Sequence, residues 1–140
     1  MSEPPGSHTS AAILLERLAE LLGELGEVGE SDTDSVVVQV GSTRASVRAL
    51  TLTDGLDVLA ITQLVAVNLP NTDELRADVE AADAELTFGA LRRSDPVGVT
   101  TDVLQYYTFP AGSLEDLPLL TMLHIVLTGG ADVAARLIAS

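Results

Sequence analysis

Only two side chains in this chain have an ordinary pKa suited to proton transfer near neutral pH, His8 and His124. His8 falls in the opening MSEPPGSHTS, and His124 lies between Thr121 and Thr128, which recur with it at helical spacing. No Ser, Asp or Glu near His124 has a spacing that assembles a nucleophilic triad, so both histidines read as structural or solvated. Carboxylate pairs occur at Glu115 with Asp116, Asp73 with Glu74 and Asp32 with Asp34. Such pairs could serve glycosidase-type acid/base chemistry or hold magnesium. With 21 Asp and Glu in 140 residues, however, close pairs arise by chance. EF-hand spacing, the Walker A pattern, GxSxG and HExxH are all absent. There is no Cys, which excludes disulfides, thiolate nucleophiles and Cys-built zinc, haem or iron–sulfur sites. The inventory assigns no catalytic residue, no metal ligand and no cofactor site, and the expectation is that the chain is not an enzyme.

The aromatic residues say more. All four, Phe88, Tyr106, Tyr107 and Phe109, fall in two neighbouring strand-like segments. Alternation along a strand puts Tyr107 and Phe109 on one side with Val103, and Tyr106 on the other with Leu104, Asp102 and Thr108. If the first set is core, Tyr106 stands on the second face of the sheet, where an amphipathic ring suits an interface.

Against 46% hydrophobic residues stand only 7 basic ones, all Arg, for a formal charge of −14. A chain of this length and mean hydropathy can bury a core and forms one domain. The charge repels phosphate, so nucleic acid and anionic membrane surfaces are not expected partners. The N-terminal segment has no Lys or Arg to form the basic region of a secretory signal. The most apolar stretch, Leu117 to Leu127, is 11 residues and too short to span a bilayer. A cytoplasmic location is the expectation.

Positions 1–9 read as a flexible lead, with 10–140 as a single domain. Thr9 or Ser10 can cap a helix beginning at Ala11, in which Leu14, Leu18, Leu21, Leu22 and Leu25 form one apolar stripe. Glu16, Glu20 and Glu24 occupy its other side, and the acidic run from Glu27 to Asp34 reads as a loop. Ser35 to Val40, Ala45 to Leu52 and Leu56 to Val67 are strands. The Asp54-Gly55 pair between the last two signals a hairpin with a type I′ turn. The third strand is apolar on both sides, and such a strand is expected to be covered on both, by this chain's helices on one side and a second molecule on the other. Asn71 and Glu74 have capping-box form ahead of a second helix. Leu86 to Arg93 and Val99 to Phe109 are two further strands. A final helical region begins at Ser113 or Asp116 and is broken or kinked at Gly129-Gly130. The expected fold is α+β in the order α-β-β-β-α-β-β-α, an antiparallel five-stranded sheet with helices packed on one face.

This order, together with Val67-Asn68-Leu69-Pro70 leading into the middle helix, Leu86-Thr87-Phe88-Gly89-Ala90-Leu91 directly after it, and the closing Ser113-Leu114-Glu115 with Ala131-Asp132, resembles the YbjN family. The resemblance runs over roughly residues 10 to 138. It departs from the family pattern where the middle helix ends, reading Ala81-Ala82-Asp83-Ala84-Glu85 in place of an Asn-rich turn. It implies a fold similar to that of type III secretion chaperones and a non-enzymatic, chaperone-like or regulatory domain, described in the family as a candidate regulator of sensory transduction. It also implies a partner protein or client held on exposed apolar sheet or helix surface, and a homodimer is one arrangement of such domains. The residues expected to bind the partner are Val65, Leu104, Tyr106, Leu120 and Leu123. A small metal- or carboxylate-dependent hydrolase is the alternative, and an acidic inhibitor that mimics nucleic-acid phosphate ranks third.

Overall fold

The computed structural model describes residues 7–139. Its elements are α1 (Ser7–Leu22), β1 (Glu27–Ser31), β2 (Ser35–Val40), β3 (Thr43–Thr53), β4 (Leu56–Pro70), α2 (Asp73–Glu85), β5 (Ala90–Arg93), β6 (Thr100–Pro110) and α3 (Asp116–Ala139). The strands form one antiparallel sheet in the order β1-β2-β3-β4-β6-β5. The α+β class and the three helices are as expected, but the sheet has six strands and not five. The additional strand is β1, which lies within the acidic run expected to be a loop. Its side chains are almost all exposed, and it adds to β2 through backbone pairing, Glu27 opposite Gln39 and Val28 opposite Val38. An edge strand held by its backbone needs little apolar patterning, so its sequence reads as a loop.

Further local details differ from expectation; β5, for one, covers only Ala90–Arg93 of the strand expected from Leu86 to Arg93. Helix α1 begins at Ser7, so Ser7 to Thr9, expected in a flexible lead, are helical; the rest of that lead lies outside the described residues. The Asp54-Gly55 hairpin is present with Thr53 paired to Leu56, yet Gly55 alone takes a positive φ, 78°. A type I′ turn needs positive φ at both positions, so the turn is of another kind, and the register shift between Thr51 and Thr53 absorbs the difference. The cap of α2 is Thr72, whose hydroxyl accepts from the Leu75 N–H at 3.1 Å. Asn71 turns away to bridge loops instead. Its Nδ2 donates to the Asp95 and Gly98 carbonyls, and its Oδ1 accepts from Arg93. Finally, α3 runs unbroken through Gly129-Gly130.

Helix α3 is long and apolar enough to cross a membrane between Asp116 and Ile138. Here its apolar face is core. Leu119, Leu123, Val126 and Leu127 are fully buried with Leu14, Leu18 and Leu22 of α1 against Val38, Val47, Leu59 and Ile61 of the sheet. A second apolar group gathers Val133, Ala134 and Leu137 of α3 with Leu75, Val79 and Ala82 of α2, over Val65, Leu91 and Val103. All three helices therefore lie on one face of the sheet.

Between the two apolar groups runs a polar seam. Ala45, Gln63, Gln105 and Leu91 sit in register across β3, β4, β6 and β5, and both glutamines are fully buried. Gln63 Nε2 donates to Thr43 Oγ1 at 2.8 Å and to the Leu127 carbonyl at 3.0 Å. Gln105 Nε2 donates to Gln63 Oε1 at 2.6 Å and to the Val126 carbonyl at 3.0 Å. Only Gly at position 130 lets α3 approach this closely, since a Cβ there would lie 2.0 Å from Gln63 Oε1. That close approach is why the Gly-Gly pair does not mark a break.

Candidate functional site

The helices leave the other face of the sheet open, and strand register lays out its side chains in rows. One row runs Gln39, Arg44, Leu64, Leu104, Arg92 across β2, β3, β4, β6 and β5. The next is Val37, Ser46, Thr62, Tyr106, Ala90, and beyond it Arg48, Ala60 and Thr108 align. Leu64, Leu104 and Ala60 are half-buried, and none of them belongs to the two apolar clusters under the helices. Tyr106 stands 42% exposed. A cleft of about 570 Å³ opens beside this surface where β5 ends, lined by Gly89, Ala90, Arg92, Tyr106, Tyr107 and Thr108. β6 outruns β5 there: its pairing with β5 stops at Tyr106, whereas its pairing with β4 continues to Pro110.

Tyr107 and Phe109 turn to the helix side, where Phe88, Tyr107 and Phe109 form a continuous ring contact with centroids 5.6 and 5.5 Å apart. Tyr106 is the one aromatic on the open face. This is the division that strand alternation requires.

The expected partner-binding residues thus separate into two groups. Leu104 and Tyr106 lie together on the open face. Val65 is 2% exposed and Leu123 fully buried, both inside the core, so neither is available to a partner. Val65 is buried because β4 keeps its alternation and turns Val65 to the helices along with Leu59 and Ile61; the doubly apolar pattern concealed which half faced out. Leu123 falls on the sheet-facing side of α3. Leu120 is half-buried against the same core. Leu64, whose neighbours across the sheet are Arg44 and Leu104, belongs to the surface but was not singled out from sequence.

Charge is divided unevenly between the two faces. Helix α2 alone carries Asp73, Glu74, Asp78, Glu80, Asp83 and Glu85, and each arginine of the helices is ion-paired: Arg17 with Asp116, Arg76 with Asp73 and Arg136 with Glu85. On the open face Arg48 pairs with Asp34 at 3.0 Å. Arg44 and Arg92 are exposed and have no ion pair among the described residues.

No cluster of three or more metal-ligating side chains occurs among the described residues. His124 is exposed on α3, and its carbonyl accepts from the Thr128 hydroxyl at 2.5 Å. Leu64, Leu104 and Tyr106 share this face with Arg44, Arg48 and Arg92.

The fold has a solved counterpart. The crystal structure of YbjN from E. coli, a candidate transcription regulator, superposes with a TM-score of 0.61 at 12% identity, over 89% of this chain and 91% of that one. The fold is YbjN-like. No family model matches the chain, and no curated protein matches it in sequence. The YbjN-like likeness therefore rests on backbone path, and the open face described above is read from this chain's own residues.

Proposed function

We propose that this chain is a non-enzymatic, chaperone-like or regulatory domain that holds a protein partner on the open face of its sheet. One observation carries the reading: all three helices pack on one face, and the other presents Leu64, Leu104, Ala60 and Tyr106, none of which belongs to the apolar clusters under the helices. Covering such side chains contributes about 25 cal/mol per Å² of apolar area removed from water. Tyr106 and Leu104 together therefore offer an aromatic and an aliphatic anchor of the kind on which interface energies concentrate once buried. The likeness to YbjN, a candidate transcription regulator, is consistent with a binding or regulatory role.

The test is a selection from a random 12-residue peptide library displayed on phage, run against the wild-type domain and against Tyr106→Asp and Leu104→Asp. Peptides that bind the wild type and lose both variants support the open face. Peptides indifferent to both substitutions, or no enrichment at all, overturn it.

A further inference from the structure

Resting on that reading of the open face, we infer that the surface is built for a segment carrying two carboxylates, one at each end of an extended apolar stretch, clamped between Arg44 and Arg92. The row Arg44, Leu64, Leu104, Arg92 is fixed by backbone pairing in β3, β4, β6 and β5. Three steps between neighbouring strands of about 4.8 Å put the two arginine Cα atoms about 14 Å apart, with the two leucines between them.

An extended chain rises about 3.3 Å per residue and turns alternate side chains to one side. Residues i and i+4 of such a chain are therefore about 13 Å apart on one face, with i+2 midway. A segment laid across the strands with acid at i, a large apolar residue at i+2 and acid at i+4 meets Arg44, the Leu64–Leu104 pair and Arg92 in turn. Tyr106, in the next row, flanks the apolar position.

Charge complementarity selects this occupant. In a chain of net charge −14, every arginine of the helices is neutralised by a neighbouring carboxylate, and so is Arg48. Arg44 and Arg92 are the exposed guanidiniums left without one among the described residues, and both stand on the uncovered face. Of the carboxylates toward this row, only Asp34 is neutralised by an ion pair among the described residues. Asp34 is held by Arg48, Asp102 Oδ1 accepts from the Asn68 N–H at 2.9 Å, and Glu27 lies at the far end beyond Gln39. A guanidinium is the side chain best matched to a carboxylate, through two parallel N–H···O bonds. A second copy of the chain bound face to face with these rows superposed would set the arginines against one another, which disfavours that arrangement.

The probe is a fluorescein-labelled peptide with the core Glu-Thr-Leu-Thr-Glu, measured by anisotropy beside a Gln-Thr-Leu-Thr-Gln control. The expected result is at least tenfold tighter binding of the Glu peptide. Arg44→Gln and Arg92→Gln should each remove most of that preference, and Arg44→Glu/Arg92→Glu should invert it toward a Lys-Thr-Leu-Thr-Lys peptide. Equal binding of the Glu and Gln peptides, or a preference that survives loss of both arginines, overturns the clamp. If the library peptides depend on Tyr106 and Leu104 but lack paired acids, the clamp fails while the docking face stands; if they ignore both residues, the face itself fails. Self-association that competes with the peptide and is lost in Leu104→Asp would assign the surface to a second copy and refute the clamp.

Discussion

Two adjacent glycines in α3 should respond to the same substitution with opposite sign. Alanine in a helix interior is favoured over glycine by about 1 kcal/mol, and at position 129 nothing opposes it. A Cβ there meets only Leu86 Cδ2, at 3.4 Å, the end of a flexible side chain. At position 130 the new Cβ would lie 2.0 Å from Gln63 Oε1, 2.5 Å from Gln63 Cδ and 2.8 Å from Gln105 Nε2. Neither glutamine has room to retreat, since both are fully buried and their Nε2 groups are tied to Thr43, Leu127 and Val126. Either α3 lifts from the sheet or the glutamine pair breaks. Overpacking costs about 1 to 3 kcal/mol, and each buried polar group left unpaired costs about 1 to 3 more. Against the helix-propensity gain, Gly130→Ala should lose about 1 to 5 kcal/mol and Gly129→Ala should gain up to about 1. Urea unfolding followed by circular dichroism reads this directly. With a slope near 2 kcal/mol/M the midpoint of Gly130→Ala falls by about 0.5 to 2.5 M. A Gly130→Ala midpoint equal to or above that of Gly129→Ala would refute the argument that this glycine is required by close packing over the glutamines.

Thr72→Ala removes the hydroxyl that receives the Leu75 N–H and should cost about 1 kcal/mol, read by the same unfolding curve; Thr72→Ser should keep most of it. Leu123→Ala empties a fully buried site between α3 and the sheet and should cost about 2 to 5 kcal/mol, whereas Tyr106→Asp, on the open face, should change stability by less than about 1. A comparable loss at both positions in thermal melts would mean that Tyr106 is part of the core. Millimolar calcium or magnesium should leave the melting temperature unchanged, and a rise of several degrees would point to a carboxylate site that the chain forms with the metal.

The parts of the fold legible in the sequence are those in which one side chain pattern has one interpretation. Leu14, Leu18, Leu21 and Leu22 can form a stripe only on a helix, and Asp54-Gly55 between apolar runs can only reverse the chain. Where backbone pairing or long-range approach decides, the pattern misleads. β1 is polar because its bonds are to the backbone of β2, and Gly129-Gly130 looks like a break because the two glutamines that explain it lie 25 and 67 positions earlier. The candidate surface divides in the same way. Alternation along β6 correctly separates Tyr106 from Tyr107. β4 is apolar on both sides, so its sequence does not reveal that Val65 faces the helices and Leu64 the open side. The Arg44–Arg92 row crosses four strands and exists only once their registers are set.

The division of charge between the two faces also gives the molecule a direction. With carboxylates concentrated on the helical layer and unpaired guanidiniums on the sheet, the domain carries a permanent dipole perpendicular to the sheet, and any charged body exerts a torque on it before contact. On the proposed reading a negative partner should meet the sheet first, even though the net charge of the whole domain repels it. On a cationic support the domain should settle with its helices down and its sheet outward, so adsorption alone should present the proposed docking face to solution.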